Sequence, residues 1–213
     1  MEDKRTRLID QAIKLFISHG IISVTMDEVA KAAGMSKKTV YQSFASKTIL
    51  VETVVESLIK QSKGILQSNI EASDGPVQEL VLQQGLFKYL IALQYVFNEM
   101  MLKRYPRALK SLHTFKSIYL KTVIELNLFN GIAKGLYRPE LNIKETSDIY
   151  ISVADFYLFH NPKNRDEIFV ALQLFINGII TDDGRRLLAH YSAITLQMTQ
   201  SFLVFSLNSK PGF

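Results

Sequence analysis

Apolar residues recur with helical spacing along almost the whole chain. Between Lys4 and His19, for example, Ile9, Ile13 and Phe16 fall on one side of a helix, because residues three and four apart share a face. No stretch alternates apolar and polar residues as a half-buried strand does. The pattern therefore predicts an all-α protein.

Capping and turn residues divide the N-terminal part into short helices followed by a long one. Thr25 and Glu28 have the spacing of a capping box, which predicts the start of a second helix. Gly34 predicts its end, because a tight turn there needs a residue that tolerates positive φ. Ser36 and Ser46 are the expected N-caps of the third and fourth helices.

Further turns predict the helices of the remaining chain. Residues 71–76, 104–106, 135–142, 161–164 and 182–184 have loop or turn composition. The helices expected between them cover about 77–101, 109–133, 143–159, 165–181 and 184–206. The last residues of the chain are expected to fray.

The second and third helices have the layout of a helix-turn-helix. Val40 and Phe44 are spaced to face the core from the third helix. Five residues are then left to face outward: Lys37, Lys38, Thr39, Tyr41 and Gln42. The second helix of such a pair enters the major groove of DNA, so this arrangement predicts DNA binding.

Charge agrees with an anionic partner. The net charge is +5, and four lysines but no acidic residue lie between Lys31 and Lys47. A local positive surface of this kind suits a polyanion. Charge alone leaves open the alternative that these lysines form a solvated helix face.

The same segment resembles the DNA-binding signature of the TetR family of transcriptional regulators. The run TMDEVAKAAGMSKKTVYQSFASK at 25–47, with AIKLF at 12–16 and Gly20 before it, carries the resemblance. It extends over roughly residues 7–55. The family often has glycine where this chain has Lys38, and histidine where it has Gln42 or Ser43, so its base preference is expected to differ.

The resemblance implies a role for each matching residue. Thr25, Tyr41 and Lys47 match positions that usually hold DNA phosphates. The residues that match the base-reading helix are Ser36, Lys37, Lys38, Thr39 and Gln42. Lysine can neutralise the DNA backbone or contact guanine, and glutamine can pair with adenine.

The resemblance also implies a three-helix helix-turn-helix domain at 1–46 and a helical effector-binding and dimerisation bundle at 47–213. The apolar residues of the last two predicted helices suggest a four-helix interface between two subunits. The predicted interface residues are Ile168, Leu172, Phe175, Ile176, Ile179, Tyr191, Ile194, Met198 and Phe202. Packing within one chain remains the alternative. A homodimer is expected to bind pseudo-palindromic double-stranded DNA.

Aromatic residues in the middle of the chain are candidates for lining an effector pocket. The pocket candidates are Phe87, Phe97, Phe115, Tyr119 and Phe156. Aromatic residues at helical spacing also occur in ordinary cores, and the sequence does not identify the small-molecule effector. No cofactor or metal is expected, since the four histidines are far apart and cysteine is absent.

Other classes of protein fit less well. No apolar run is long enough to span a bilayer, and the N-terminus has no apolar segment of a signal peptide, so a cytoplasmic location is expected. No phosphate-binding glycine loop or nucleophile elbow indicates an enzyme. The sequence thus predicts a DNA-binding regulator, and the family resemblance implies that it is a repressor. The alternative is a helical module that binds a small molecule or protein and has a vestigial helix-turn-helix.

Overall fold

Helices joined by short turns form the structure of this chain. A computed structural model describes residues 4–92, 102–157 and 167–191. Within these ranges the extended backbone pairs only at one isolated bridge, between Tyr137 and Ile180. The all-α prediction is confirmed.

The helices follow the predicted order, with some differences in their limits. They are α1 (Lys4–His19), α2 (Met26–Ala33), α3 (Lys37–Ser43), α4 (Lys47–Ala72), α5 (Pro76–Ala92), α6 (Pro106–Thr114), a π-helical segment (Phe115–Leu120), α7 (Lys121–Ala133), α8 (Ile143–Asp155), α9 (Glu167–Ile179) and α10 (182–191). The predicted helical segments at 93–101, 158–159, 165–166 and 192–206, and the turn at 161–164, lie outside the described residues.

The buried side of α1 differs slightly from the predicted one. Leu8, Ala12 and Phe16 have no exposed surface, whereas Ile9 and Ile13 are only half-buried. Relative to the prediction, the buried face of α1 is therefore rotated about the helix axis by about one residue. This face is directed toward α2 and α4, against which α1 packs. This packing encloses the small N-terminal core.

The long helix α4 connects the N-terminal helices to the rest of the chain. Ser46 caps it by accepting a hydrogen bond from the Ile49 amide at 3.3 Å, as predicted. Leu50, Val54 and Leu58 lie one turn apart and are buried. The helix packs against α1, α5 and α6, so it contacts both ends of the molecule.

The helix predicted at 109–133 begins earlier and changes its winding. It starts at Pro106, which suits the first helical position because that position needs no amide hydrogen. It then passes through the π-helical segment, where Phe115 and Leu120 are both buried. Residues five apart diverge on an α-helix, whereas the wider π turn brings them closer to one side.

The turn predicted at 182–184 is wrong. Helix α10 already begins at 182, and the Thr181 hydroxyl accepts a hydrogen bond from the Gly184 amide at 3.2 Å. Gly184 serves close packing rather than a turn, because a Cβ atom there would lie 2.3 Å from the Leu136 carbonyl oxygen.

Candidate nucleic-acid interface

Two apolar side chains anchor α3 on the N-terminal core. Val40 and Phe44 have no exposed surface. The Arg5 guanidinium lies 4.5 Å from the centre of the Phe44 ring and donates a hydrogen bond to the Ser43 carbonyl at 3.0 Å. These contacts fix which side of α3 faces solvent.

The turn between α2 and α3 has the predicted geometry. Gly34 has φ 63° and ψ 36°, in the left-handed region. The Gly34 amide donates to the Lys31 carbonyl at 3.1 Å, and the Met35 amide donates to the Ala30 carbonyl at 2.9 Å. This pair of bonds is the Schellman motif, which ends a helix and redirects the chain. The Gly34 prediction is confirmed.

The solvent side of α3 is polar, as the sequence predicted. Lys37, Lys38, Tyr41 and Gln42 are exposed, and Thr39 is half-buried. Tyr41 exposes 49% of its surface, so the ring is not a cover for the core. These side chains form one outward face that a DNA groove can meet.

Ser36 and Thr39 are hydrogen-bonded to each other. The Ser36 hydroxyl accepts from the Thr39 amide at 3.1 Å, which confirms Ser36 as the N-cap of α3. The two hydroxyl oxygens lie 2.9 Å apart. One hydroxyl donates to the other, which leaves the second hydroxyl proton available for a phosphate or a base edge.

The two lysines of α3 differ in their surroundings. Lys37 forms an ion pair with Asp27 of α2. Both side chains are more than half exposed, so the pair contributes little to stability, and Lys37 can exchange Asp27 for a phosphate. Lys38 is exposed and has no ion-pair partner among the described side chains, so no neighbouring acidic group compensates its charge.

Thr25 is committed to the cap of α2. Its amide and its hydroxyl both donate to the Glu28 carboxylate, at 2.7 Å and 2.8 Å, and its hydroxyl accepts from the Glu28 amide at 3.2 Å. The capping-box prediction is confirmed. The backbone and side-chain hydrogen bonds from Thr25 lower the pKa of the Glu28 carboxyl. A phosphate contact by the Thr25 hydroxyl would require that group to turn away from Glu28.

Lys47 holds the loop that precedes α2. Its ammonium group donates to the Ile22 carbonyl at 2.9 Å. Partial burial lowers the pKa of this lysine, and the nearby Glu28 carboxylate opposes that effect. The charge thus lies beside the predicted Thr25 site, at the start of α4.

A known protein family matches the part of the sequence that forms this surface. The sequence profile of the bacterial regulatory proteins of the TetR family matches residues 8–54, which include most of α1, all of α2 and α3, and the first turns of α4. At residues 8–54, the chain thus carries the region that this TetR-family profile describes.

Similar proteins match most of the length of this chain. An uncharacterised transcriptional regulator of Bacillus subtilis, YvkB, is 24% identical over 201 residues, which is 85% of this chain and all of the relative. IcaR of Staphylococcus aureus (strain Newman), a negative regulator of the biofilm operon icaADBC, is 26% identical over 160 residues, covering 74% of this chain and 80% of its own.

A solved structure agrees on the fold. The structure of a γ-butyrolactone receptor, an ArpA-like protein, superposes with a TM-score of 0.67 at 16% identity and covers 94% of this chain and 98% of its own. At this identity the likeness establishes the shared architecture of a helix-turn-helix and a helical C-terminal part.

The described pocket candidates make separate ring contacts. Phe87 is buried and lies 5.9 Å from the Tyr150 ring. Phe115 stacks on the half-buried Tyr119 at 6.1 Å. Phe156 is 52% exposed just after α8, so it does not line an enclosed pocket, and that assignment is corrected. Phe97 lies outside the described residues.

The predicted dimer residues of α9 also need correction. Ile168, Leu172, Ile176 and Ile179 are buried within this chain, so they are not available to a partner subunit. Their side of α9 is the side that packs on the core, and the sequence pattern does not distinguish a core-facing stripe from a partner-facing one. Phe175 and Tyr191 are half-buried. Ile194, Met198 and Phe202 lie outside the described residues.

A different set of apolar side chains is exposed on α8 and α9. Val170 and Leu174 of α9 are 61% and 69% exposed, and Ile149 and Phe156 at α8 are 56% and 52% exposed. The two helices pack together, so we call these four residues the α8–α9 apolar surface. Sequence analysis missed it because Val170 and Leu174 lie beside a more apolar buried stripe.

A buried polar cluster was also missed. The Tyr137 hydroxyl donates to the Pro76 carbonyl at 2.8 Å and lies 2.9 Å from the Asn127 amide oxygen. Asn127 also donates to the Pro76 carbonyl, at 2.9 Å. Glu79 and Gln83 of α5 are buried nearby. The four-residue spacing of Glu79 and Gln83 within an apolar helix is the feature of the sequence that could have indicated this cluster.

The described ranges contain neither a candidate metal site nor a candidate membrane-spanning helix. No group of three or more histidine, cysteine, aspartate or glutamate side chains there is arranged to hold a metal ion. None of the described helices combines the length and the apolar character that crossing a membrane requires.

Proposed function

We propose that this protein is a repressor that binds a pseudo-palindromic operator as a homodimer and is released from DNA by a small-molecule effector. The observation that carries the proposal is the division of α3 into two sides. Val40 and Phe44 are fully buried, whereas Lys38, Tyr41 and Gln42 face solvent. A recognition helix needs this division, since one side must hold its position and the other must reach the bases.

Each exposed residue has a distinct role in the proposed complex. Lys37 and Lys38 neutralise phosphates, with Lys38 also able to reach guanine acceptors, and the Tyr41 hydroxyl donates to a phosphate. Gln42 can pair with adenine through two hydrogen bonds. Ser36 and Thr39 share one available hydroxyl proton, and Thr25 and Lys47 flank this surface at the start of α2 and α4.

The α8–α9 apolar surface is the proposed dimer interface. Four large apolar side chains that are more than half exposed would lose this contact with water if two copies met face to face. Two helices from each subunit would then form a four-helix contact. Two-fold symmetry would place the two α3 helices about one turn of DNA apart, so that both would meet the same face of the duplex.

The core beyond α3 is the proposed effector domain. We assign residues 1–46 to DNA binding and 47–213 to effector binding and dimerisation, in a cytoplasmic regulator rather than an enzyme. IcaR, a relative, is named a negative regulator, and the structurally similar ArpA-like protein is a γ-butyrolactone receptor. Helix α4 touches α1 as well as α5 and α6, so it can transmit a change between the two parts. An effector releases DNA only if it binds the DNA-incompetent state more tightly.

DNA binding is tested by selecting genomic fragments on the purified protein at two salt concentrations. A short enriched pseudo-palindrome is expected, with affinity that falls steeply as salt rises. The variant Lys38→Ala/Gln42→Ala should abolish this enrichment, whereas Lys60→Ala, at an exposed lysine of α4, should preserve it. Equal enrichment by both variants would contradict the assignment of α3.

The dimer interface is tested by sedimentation. Leu174→Glu places a charge in the proposed contact and should yield monomers. Leu126→Glu changes a comparably exposed leucine of α7, 57% against 69%, and should leave a dimer. Dimers of the Leu174 variant would overturn the α8–α9 assignment.

A further inference from the structure

Helix α5 buries two polar side chains one turn apart. Glu79 is 8% exposed and Gln83 is 1% exposed. The neighbouring residues Val77, Leu80 and Val81 are apolar and equally buried. Glutamine is mostly exposed in proteins, and glutamate is rarely buried unless it is paired, so these two residues need an explanation that core packing does not give.

The Gln83 amide is satisfied on only one side. Its Nε2 donates to the Glu79 carboxylate at 3.0 Å. Its Oε1 is fully buried and has no hydrogen-bond partner among the described groups. A buried carbonyl without a donor is unfavourable, and it marks a position where a donor from outside the chain would be stabilised.

The Glu79 carboxylate lacks a counter-ion. No lysine, arginine or histidine side chain described here forms an ion pair with it, and its supporting contacts are the neutral amides of Gln83 and Asn127. The Tyr137 hydroxyl is engaged with Asn127 and Pro76. Burial raises the pKa of the Glu79 carboxyl, and the Asn127 hydrogen bond opposes this. A cation at this site would compensate the buried charge.

Aromatic rings extend the cluster along the same side of α5. Phe87 lies one turn beyond Gln83, and its ring centre is 5.9 Å from that of Tyr150. Tyr150 in turn meets Phe175 edge to face at 5.2 Å. Aromatic rings provide an apolar wall, and their faces attract cations.

We propose that Glu79 and Gln83 bind the protonated amino group of an effector whose apolar body packs against Phe87, Tyr150 and Phe175. An ammonium group has several N–H donors, so it can satisfy the Gln83 carbonyl and the Glu79 carboxylate together. A carboxylate ligand would be repelled by Glu79. A quaternary ammonium would keep the charge but could not donate to Gln83. The inference rests on the proposed function, because it names the chemical class of the effector.

The inference is tested with four probes of similar size. They are 2-phenylethylamine, its N,N,N-trimethyl derivative, 2-phenylethanol and 3-phenylpropionate. Binding to the full-length protein is measured by calorimetry, and release of the selected operator DNA by fluorescence anisotropy. The primary amine should bind at least tenfold more tightly than each of the others, since hydrogen bonds to charged groups are the stronger ones, and it should release DNA.

Three variants separate the site from general effects on folding. Glu79→Gln removes the charge but keeps the shape, and it should weaken amine binding by roughly ten- to a hundredfold while the melting temperature stays the same or rises. Glu140→Gln changes an exposed glutamate of a loop and should leave amine binding unchanged. Gln83→Leu should selectively weaken the primary amine and leave the trimethyl derivative unaffected.

Each outcome has a defined meaning. Equal amine affinity in the wild type and Glu79→Gln, or preference for the alcohol or the carboxylate, would overturn the inference and indicate that Glu79 is a protonated core residue. Operator binding without probe is the independent control. If the free protein binds no operator, the proposed function fails; if it binds operator and the amine has no effect, only the amine inference fails.

Discussion

Polar side chains have different surroundings in α1–α3 and in the core from α4 onward. In and around α1–α3, several polar groups lie at the surface and are paired with close neighbours, as Thr25 is with Glu28 and Ser36 with Thr39. In the core from α4 onward, Glu79, Gln83 and Asn127 are buried, and the Gln83 carbonyl has no hydrogen-bond partner in the described part of the chain. The first arrangement suits contact with an external surface, whereas the second suits enclosure of a small molecule.

This difference implies that function and stability are separable in α1–α3 but coupled in the core. Exposed residues of α3 can be replaced with little effect on folding, because surface substitutions rarely change stability by much. Buried polar residues of the core take part in both folding and the proposed ligand site. Substitutions at each end test whether this contrast holds.

The largest effect is expected when the apolar support of α3 is removed. Phe44→Ala should destabilise the N-terminal region by about 3–5 kcal/mol, because Phe44 is fully buried beneath Arg5. Thermal unfolding followed by circular dichroism, together with operator binding, measures this loss. Tyr41→Ala in the same helix should weaken DNA binding while stability changes little; similar destabilisation by both variants would break the proposed two-sided division of α3.

A smaller loss of stability is expected in the core when one buried hydroxyl is removed. Tyr137→Phe should cost about 1–3 kcal/mol, since the hydroxyl joins Asn127 to the Pro76 carbonyl. Urea unfolding measures the change. Tyr157→Phe, at a half-buried tyrosine beyond α8, provides the comparison and should be nearly neutral. Equal losses of stability in the two variants would show that the buried hydrogen bonds of Tyr137 do not stabilise the core.

Loss of the α2 cap should have a moderate effect. Thr25→Ala removes the side-chain acceptor for the Glu28 amide and should cost about 1 kcal/mol. Thr25→Ser retains the hydroxyl and should restore most of that stability. Denaturant midpoints of the two variants give the comparison, and an equally unstable serine variant would argue that the methyl group, not the cap, matters.

The smallest effect concerns pH. Hydrogen bonds from Thr25 lower the pKa of Glu28 in the folded state, so the folded state binds fewer protons than the unfolded one at this site. Its contribution is present above the unfolded pKa and is lost as pH falls through the folded pKa. Glu28→Gln should therefore flatten the acid limb of stability against pH. Identical acid limbs in the two proteins would contradict this linkage.

The structure followed the sequence most closely where local chemistry determines it. The capping box at Thr25, the positive φ at Gly34 and the N-cap at Ser36 depend on neighbouring residues alone, and all were predicted. The outward face of α3 followed from the four-residue spacing of Val40 and Phe44. The DNA contacts themselves remain predictions.

The structure departed from the sequence-based predictions where contacts between distant segments determine which side chains are buried. Ile168 and Leu174 are both apolar residues of α9, yet one is buried and the other is 69% exposed, because only packing against α8 and the core determines which side is covered. The role of Gly184 depends on Leu136, which lies on a separate loop. The unpaired Gln83 carbonyl likewise became visible only when its surroundings were known.

The central claim, that α3 presents Lys38 and Gln42 to DNA, is tested most directly by measuring operator affinity against salt concentration for the wild type and Lys38→Ala. A plot of log affinity against log salt concentration has a negative slope. The account predicts that this slope becomes less steep by about 0.9 for each lost phosphate contact, or by about 1.8 for a dimer that loses one contact in each subunit. Lys60→Ala should keep the wild-type slope. An unchanged slope and affinity in Lys38→Ala would contradict the claim that this side of α3 meets DNA.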